Sequence, residues 1–88
     1  MLRPMEIEDM ILEPIEKSRF LKVRAEDIEI AQEYLREGEY GIAWDQLVSQ
    51  IYEYEINIDP GYYDLVEEIA QKMQISQNEY SFLRELIK

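Results

Sequence analysis

The chain has 88 residues, 20 of them acidic and 9 basic, a formal net charge of -11, and neither histidine nor cysteine. That length fits one domain with little room for a large enclosed pocket, because a chain this short buries only about 60% of the surface it exposes when unfolded. The missing residue types exclude a disulfide framework, a thiolate nucleophile, the usual structural zinc sites, haem ligation and histidine-based general catalysis.

The negative balance argues against direct nucleic-acid binding, since such binding draws its affinity from lysine and arginine on phosphates. No stretch reaches the roughly 20 apolar residues of a membrane span. The opening, MLRPMEIEDM, places acids where a signal peptide has its apolar run, so the expected setting is the cytoplasm.

Apolar residues recur at helical spacing, which predicts an all-α fold: a compact bundle of four to five short helices in a single domain over 1–88. The first helix is expected over about Pro4 to Phe20, with Ile7, Met10, Ile11 and Ile15 along one side. Pro14 inside it removes a backbone donor and predicts a kink or a break. Lys17, Arg19, Lys22 and Arg24 form the only basic island, a connection to the second helix. That helix is expected from Ala25 to Glu37, with Ile28, Ala31 and Leu35 inward, Glu26 and Asp27 at its positive end, and Gly38 as its left-handed cap.

The third helix, about Glu39 to Glu53, has the strongest apolar stripe, Tyr40, Trp44, Leu47, Val48 and Ile51, and is expected at the centre. Glu53 to Ile58 reads as a short extended link. Asp59 as N-cap and Pro60 in the first helical position start a fourth helix, whose inner face is Tyr63, Val66, Ile69, Ala70 and Met73. Ser76 and Glu79 have the spacing of a capping box ahead of a short last helix carrying Tyr80, Leu83 and Ile87.

Twenty carboxylates make helical pairs such as Glu29 with Glu33, Glu33 with Glu37, or Asp64 with Glu68 almost unavoidable, and these lie on polar faces where solvent keeps them ionised. The spacing of a calcium-binding EF-hand is absent, and the three glycines, Gly38, Gly41 and Gly61, occur singly and build no phosphate loop. Ser18, Ser49, Ser76 and Ser81 read as caps and surface. No enzyme activity, cofactor or metal is expected. Gly41, in the first turn of a helix, reads most simply as a place of close helix packing.

Charge is unevenly distributed. From Glu26 to Glu68 there are 13 acids and one base, Arg36, a net of -12 that leaves the remaining residues at +1. Such a field steers a basic partner, although it equally serves solubility. Tyr40, Trp44 and Tyr63 follow the inner stripes and are expected in the core, whereas Tyr52, Tyr54 and Tyr62 cluster near Glu53, Glu55 and Asp59. Exposed phenol rings beside carboxylates suit a basic protein surface. The expected protein-binding residues are therefore Glu39, Asp45, Tyr52, Tyr54, Glu55, Asp59 and Tyr62.

The run Leu35-Arg36-Glu37-Gly38-Glu39-Tyr40-Gly41-Ile42-Ala43-Trp44-Asp45-Gln46-Leu47 contains Gly-Glu-Tyr-Gly-x-Ala and a leucine one turn on. In Gly38, Glu39, Tyr40, Gly41, Ala43 and Leu47 it resembles the MafI-type family of small bacterial immunity proteins, and the general likeness extends over roughly residues 25 to 87. The resemblance implies a non-catalytic protein that neutralises a cognate toxin, commonly a nuclease domain with a basic cleft, by stoichiometric binding. Only Glu39 of the expected binding residues also lies in the motif. A non-enzymatic helical adaptor or regulatory module is the alternative, and both a monomer and a homodimer remain open.

Overall fold

The computed structural model describes residues 4–88, with side chains from residue 6 onward, as four α-helices followed by a tail of 3-10 helices. Residues 1–3, with which the reading of the chain's opening begins, lie outside the described residues. The helices are α1 Pro4–Lys17, α2 Ala25–Arg36, α3 Tyr40–Glu53 and α4 Pro60–Lys72. A 3-10 turn, Ser18–Phe20, follows α1, and 3-10 segments Gln77–Glu79 and Ser81–Leu86 close the chain. The result is a compact all-α bundle of about five short helices. Among the described residues the sole extended pairing is a bridge between Ile58 and Ile87, in which the Ile58 N–H donates to the Leu86 carbonyl at 3.0 Å and the Lys88 N–H to the Ile58 carbonyl at 2.9 Å.

α1 continues through Pro14 to Lys17 instead of breaking. Pro14 sits near the helix end, where only the Met10 carbonyl loses its N–H partner, and its ring is fully buried. Ser18 is buried as well, a correction to its expected surface place: its hydroxyl donates to the Ile15 carbonyl and closes the last turn.

Three helices end in the same way. At the end of α2 the Gly38 N–H donates to the Leu35 carbonyl and the Glu39 N–H to the Tyr34 carbonyl, with Gly38 at φ 77°. Glu55 and Ile56 make the equivalent bonds to Tyr52 and Ile51 after α3, and Gln74 and Ile75 to Gln71 and Ala70 after α4. These pairs are Schellman motifs, which satisfy carbonyls that the helix itself leaves open. Gly38 is the expected cap; Glu55 at φ 48° and Gln74 at φ 58° occupy the same left-handed region without glycine's freedom.

The start of α4 is as expected, with Asp59 Oδ1 accepting the Tyr62 N–H at 2.8 Å and Pro60 in the first turn. The capping box is not formed. Ser76 Oγ accepts from the Asn78 N–H at 3.4 Å, and the Glu79 N–H, which a capping box gives to the serine side chain, donates to the Ser76 carbonyl in the i to i+3 bond of a 3-10 turn.

The largest fully buried side chains come from α1, α3, the α3–α4 link, α4 and the closing 3-10 segment: Ile11, Ile15, Ile51, Ile58, Ile69 and Leu83. α1 packs against α2, α3 and α4, and α3 against α1, α2 and the closing 3-10 segment, so that α1 and α3 share the middle of the bundle. α3 still contributes Ala43, Trp44, Leu47, Val48 and Ile51 to the core, and packs most extensively against α2. Trp44 stands edge-on to Tyr80, centroids 6.1 Å apart, and its indole N–H donates to the Val66 carbonyl at 3.3 Å. Burial of each such large apolar side chain contributes about 1.5–3 kcal/mol.

Candidate functional site

The turn after α3 exposes the residues singled out from the sequence. Tyr52, in the last turn of α3, is 45% exposed and leans on Phe82, with centroids 4.5 Å apart. Tyr54 is 47% exposed, and the Arg24 guanidinium lies over its ring, 4.5 Å from the centroid. Arg24 is itself held by Asp27, whose Oδ2 accepts its Nε–H at 3.1 Å, with Glu26 at 3.4 Å; the bond to Asp27 and the two carboxylates keep the guanidinium above its ordinary range. The Tyr54 ring is thereby fixed on one face and open at its edge. Glu55 is exposed in the left-handed turn that ends α3, and the chain returns to the core at Ile56.

Asp59 is exposed at the residue level, although one carboxylate oxygen is committed to capping α4. Tyr62 is not at the surface. It is 3% exposed, its hydroxyl donates to the Pro14 carbonyl at 3.1 Å, and burial pushes its ionisation well above the ordinary tyrosine range. The expectation that it belongs to an exposed aromatic edge is therefore corrected: Tyr62 packs α4 onto α1. Tyr63 is buried as expected, with its hydroxyl unpaired among the described residues.

Glu39 and Asp45 are both exposed, but they stand apart from that turn. Glu39 precedes α3 and Tyr54 follows it, so a rise of about 1.5 Å per residue separates them by roughly 20 Å. Asp45 and Tyr52, seven residues apart, share the outer face of α3 with the half-exposed Ile42. The expected residues thus divide into a cluster of Tyr52, Tyr54, Glu55 and Asp59 around the α3–α4 link, and an outlying pair. Tyr40 is half-buried. A Cβ at Gly41 would meet only Met73 Cε, at 3.9 Å, so close helix packing does not require glycine there.

The expected binding residues do not include Phe20, at 90% the most exposed large apolar side chain among the described residues. It projects from the 3-10 turn after α1 and separates two clefts. One, of about 440 Å³, is bordered by Lys22, Arg24, Tyr54 and Glu55. The other, of about 470 Å³, lies between the end of α1 and α4 and reaches Asp59. A signal was present: Ile11, Ile15 and Ser18 continue one helical face, and a residue two positions after Ser18 necessarily faces away from it.

Among the described residues no group of carboxylates is placed to hold a metal ion, and no helix is long and apolar enough to cross a membrane. Comparison of the chain with protein-family models, with curated proteins and with solved structures finds no match.

Proposed function

We propose that this chain is an immunity-like inhibitor that binds and neutralises a basic toxin, a nuclease domain above all, by stoichiometric non-catalytic association. The observation that carries the reading is the concentration of 13 carboxylates against one arginine between Glu26 and Glu68, with Tyr54, Glu55 and Asp59 all exposed along the α3–α4 link. An enzyme that cleaves nucleic acid needs a basic cleft for the phosphates, and exposed carboxylates on a rigid helical scaffold can occupy such a cleft in their place. Tyr52 and Tyr54 add broad contact area at low entropic cost, being already held against Phe82 and Arg24. The Gly-Glu-Tyr-Gly-x-Ala corner supports the same reading through its likeness to immunity proteins.

Co-expression with a candidate toxin encoded by a neighbouring gene, followed by purification and a nuclease assay, tests the proposal. It predicts a stable equimolar complex with suppressed activity, and an association rate that falls steeply with salt. A complex that leaves activity intact supports the adaptor alternative instead, and no complex with the adjacent candidate refutes the pairing.

A further inference from the structure

The cleft between α1 and α4 combines an apolar floor with an acidic rim. Leu21 and Leu65, both half-buried, and the ring of Tyr62 form that floor, and Phe20 stands at its edge with almost all of its surface in water. Around it the carboxylates of Glu13, Asp59, Asp64 and Glu68 face a single base, Lys17, which lies 4.0 Å from Glu13. Asp64 and Glu68 are one helical turn apart on α4 and carry no ion pair among the described residues. Phe20 is held out because Ser18 turns inward to bond the Ile15 carbonyl and the Leu21 N–H closes the turn onto the Ser18 carbonyl. An aromatic ring in this position makes little contact within its own chain.

We propose that this α1–α4 cleft is the docking groove for a lysine- or arginine-bearing amphipathic segment of a partner protein, with the partner's apolar side chains against Phe20, Leu21 and Leu65 and its cations against Asp64 and Glu68. Charge selects the occupant. The rim holds four carboxylates to one amine, and a second copy of this chain would bring a further -11 to the contact. The inference rests on the reading that the partner is a basic protein, and it places the main contact beside the α3–α4 link, with Asp59 common to both.

The probe is the synthetic peptide Lys-Leu-Leu-Lys-Lys-Leu-Leu-Lys, acetylated and amidated, titrated into the isotope-labelled full chain and followed by amide chemical shifts. Changes at Phe20, Leu21, Asp64, Leu65 and Glu68 are expected. Phe20→Ser and the double charge reversal Asp64→Lys/Glu68→Lys should each weaken binding about tenfold or more, and a peptide with serine for each leucine should bind far more weakly. Unaltered emission of the buried Trp44 shows that the variants remain folded.

Shifts confined to Glu29, Glu33 and Glu37, equal binding of the serine peptide, or an affinity indifferent to Phe20→Ser would each overturn the groove. So would light scattering that finds a dimer which Phe20→Ser converts to a monomer, since a second copy would then be the occupant. Because the peptide assay contains no toxin, failure of the wild-type chain to neutralise one refutes the inhibitor reading and leaves these readouts to decide the groove.

Discussion

The hydroxyl of Tyr62 donates to the carbonyl oxygen of Pro14 across 3.1 Å, a bond that joins residues 48 positions apart and fastens α4 to the last turn of α1. Its neighbour Tyr63 is equally buried, yet its hydroxyl has no partner among the described residues. Two identical substitutions one residue apart should therefore act in opposite senses. Tyr62→Phe is expected to lower stability by about 0.5–1.5 kcal/mol, the net worth of one buried hydrogen bond. Tyr63→Phe removes an unsatisfied polar atom and should be neutral or stabilising by up to about 1 kcal/mol. Urea melts followed by the single tryptophan measure both; equal losses would show that the two hydroxyls have the same surroundings.

The same burial makes stability sensitive to alkali. Tyr62 is held protonated in the folded state by desolvation, above the ordinary value of about 10 that applies to the unfolded chain. Below that value both states keep the proton and the contribution is fully present. As pH rises past it, only the unfolded chain loses the proton, so unfolding is favoured by up to about 1.4 kcal/mol per pH unit. Desolvation, and then the bond from its hydroxyl to Glu67 Oε2 at 3.2 Å, shifts Tyr80 in the same direction. Thermal melts between pH 9 and about 11.5 should show the decline, shallower in Tyr62→Phe; identical slopes in the variant would assign it to other groups.

Left-handed C-caps offer a contrast between positions of the same geometry. Gly38 has open space around a built Cβ, so Gly38→Ala suffers only from its positive φ, at a cost of about 1 kcal/mol. Gln74 sits in that conformation already, and Gln74→Gly should raise stability by up to about 1 kcal/mol, reduced by the greater freedom glycine has when unfolded. The midpoints of urea unfolding should move in opposite directions. A destabilising Gln74→Gly would mean that the side chain contributes more than the backbone strain costs.

What the sequence made legible follows from how local the signal is. Helix order, the Asp59-Pro60 start and the Gly38 stop depend on neighbours in the chain, and they appear where the residues place them. The place of Tyr62 is not legible in the sequence because α4 buries a broad face: Tyr62, Val66 and Ile69 are spaced as regularly as the stripe beginning at Tyr63, and only the position of α1 reveals that both are covered. Glu55 and Gln74 were illegible as caps because glycine is the usual sign of that conformation. Tyr54, Glu55 and Asp59 do lie along one link, whereas Asp45 joins them only as an exposed acid and Glu39 as an exposed acid that also lies in the Gly-Glu-Tyr-Gly-x-Ala motif, and neither sign carries information about distance along a helix.

Asp27 and Glu26 differ in a way that composition also hides. The Asp27 carboxylate is 4% exposed and fully engaged, Oδ2 accepting from Arg24 and Oδ1 from Gln50 Nε2 at 3.0 Å. Glu26 meets the same arginine from solvent. Asp27→Ala should cost about 1–3 kcal/mol, through the lost charged hydrogen bonds and the space left between α2 and α3. Glu26→Ala should stay within about 0.5 kcal/mol. Chemical denaturation of the two variants is a direct comparison, and parity between them would mean that the buried bonds add nothing beyond a surface ion pair.

Asp59 has two roles that can be separated by one atom exchange. Its Oδ1 caps α4, and asparagine caps as well as aspartate does, so Asp59→Asn should leave stability within about 0.5 kcal/mol while removing the negative charge from the proposed contact. Asp59→Ala loses the cap too, at about 1 kcal/mol. If the partner is basic, both variants weaken its binding, and the dependence of affinity on salt becomes shallower because one fewer charge takes part. Titration calorimetry with the toxin at two ionic strengths, set beside urea melts of the free variants, distinguishes the roles. Should Asp59→Asn bind as tightly as the wild type with an unchanged salt slope, Asp59 serves only as a cap and the contact lies elsewhere on the acidic surface.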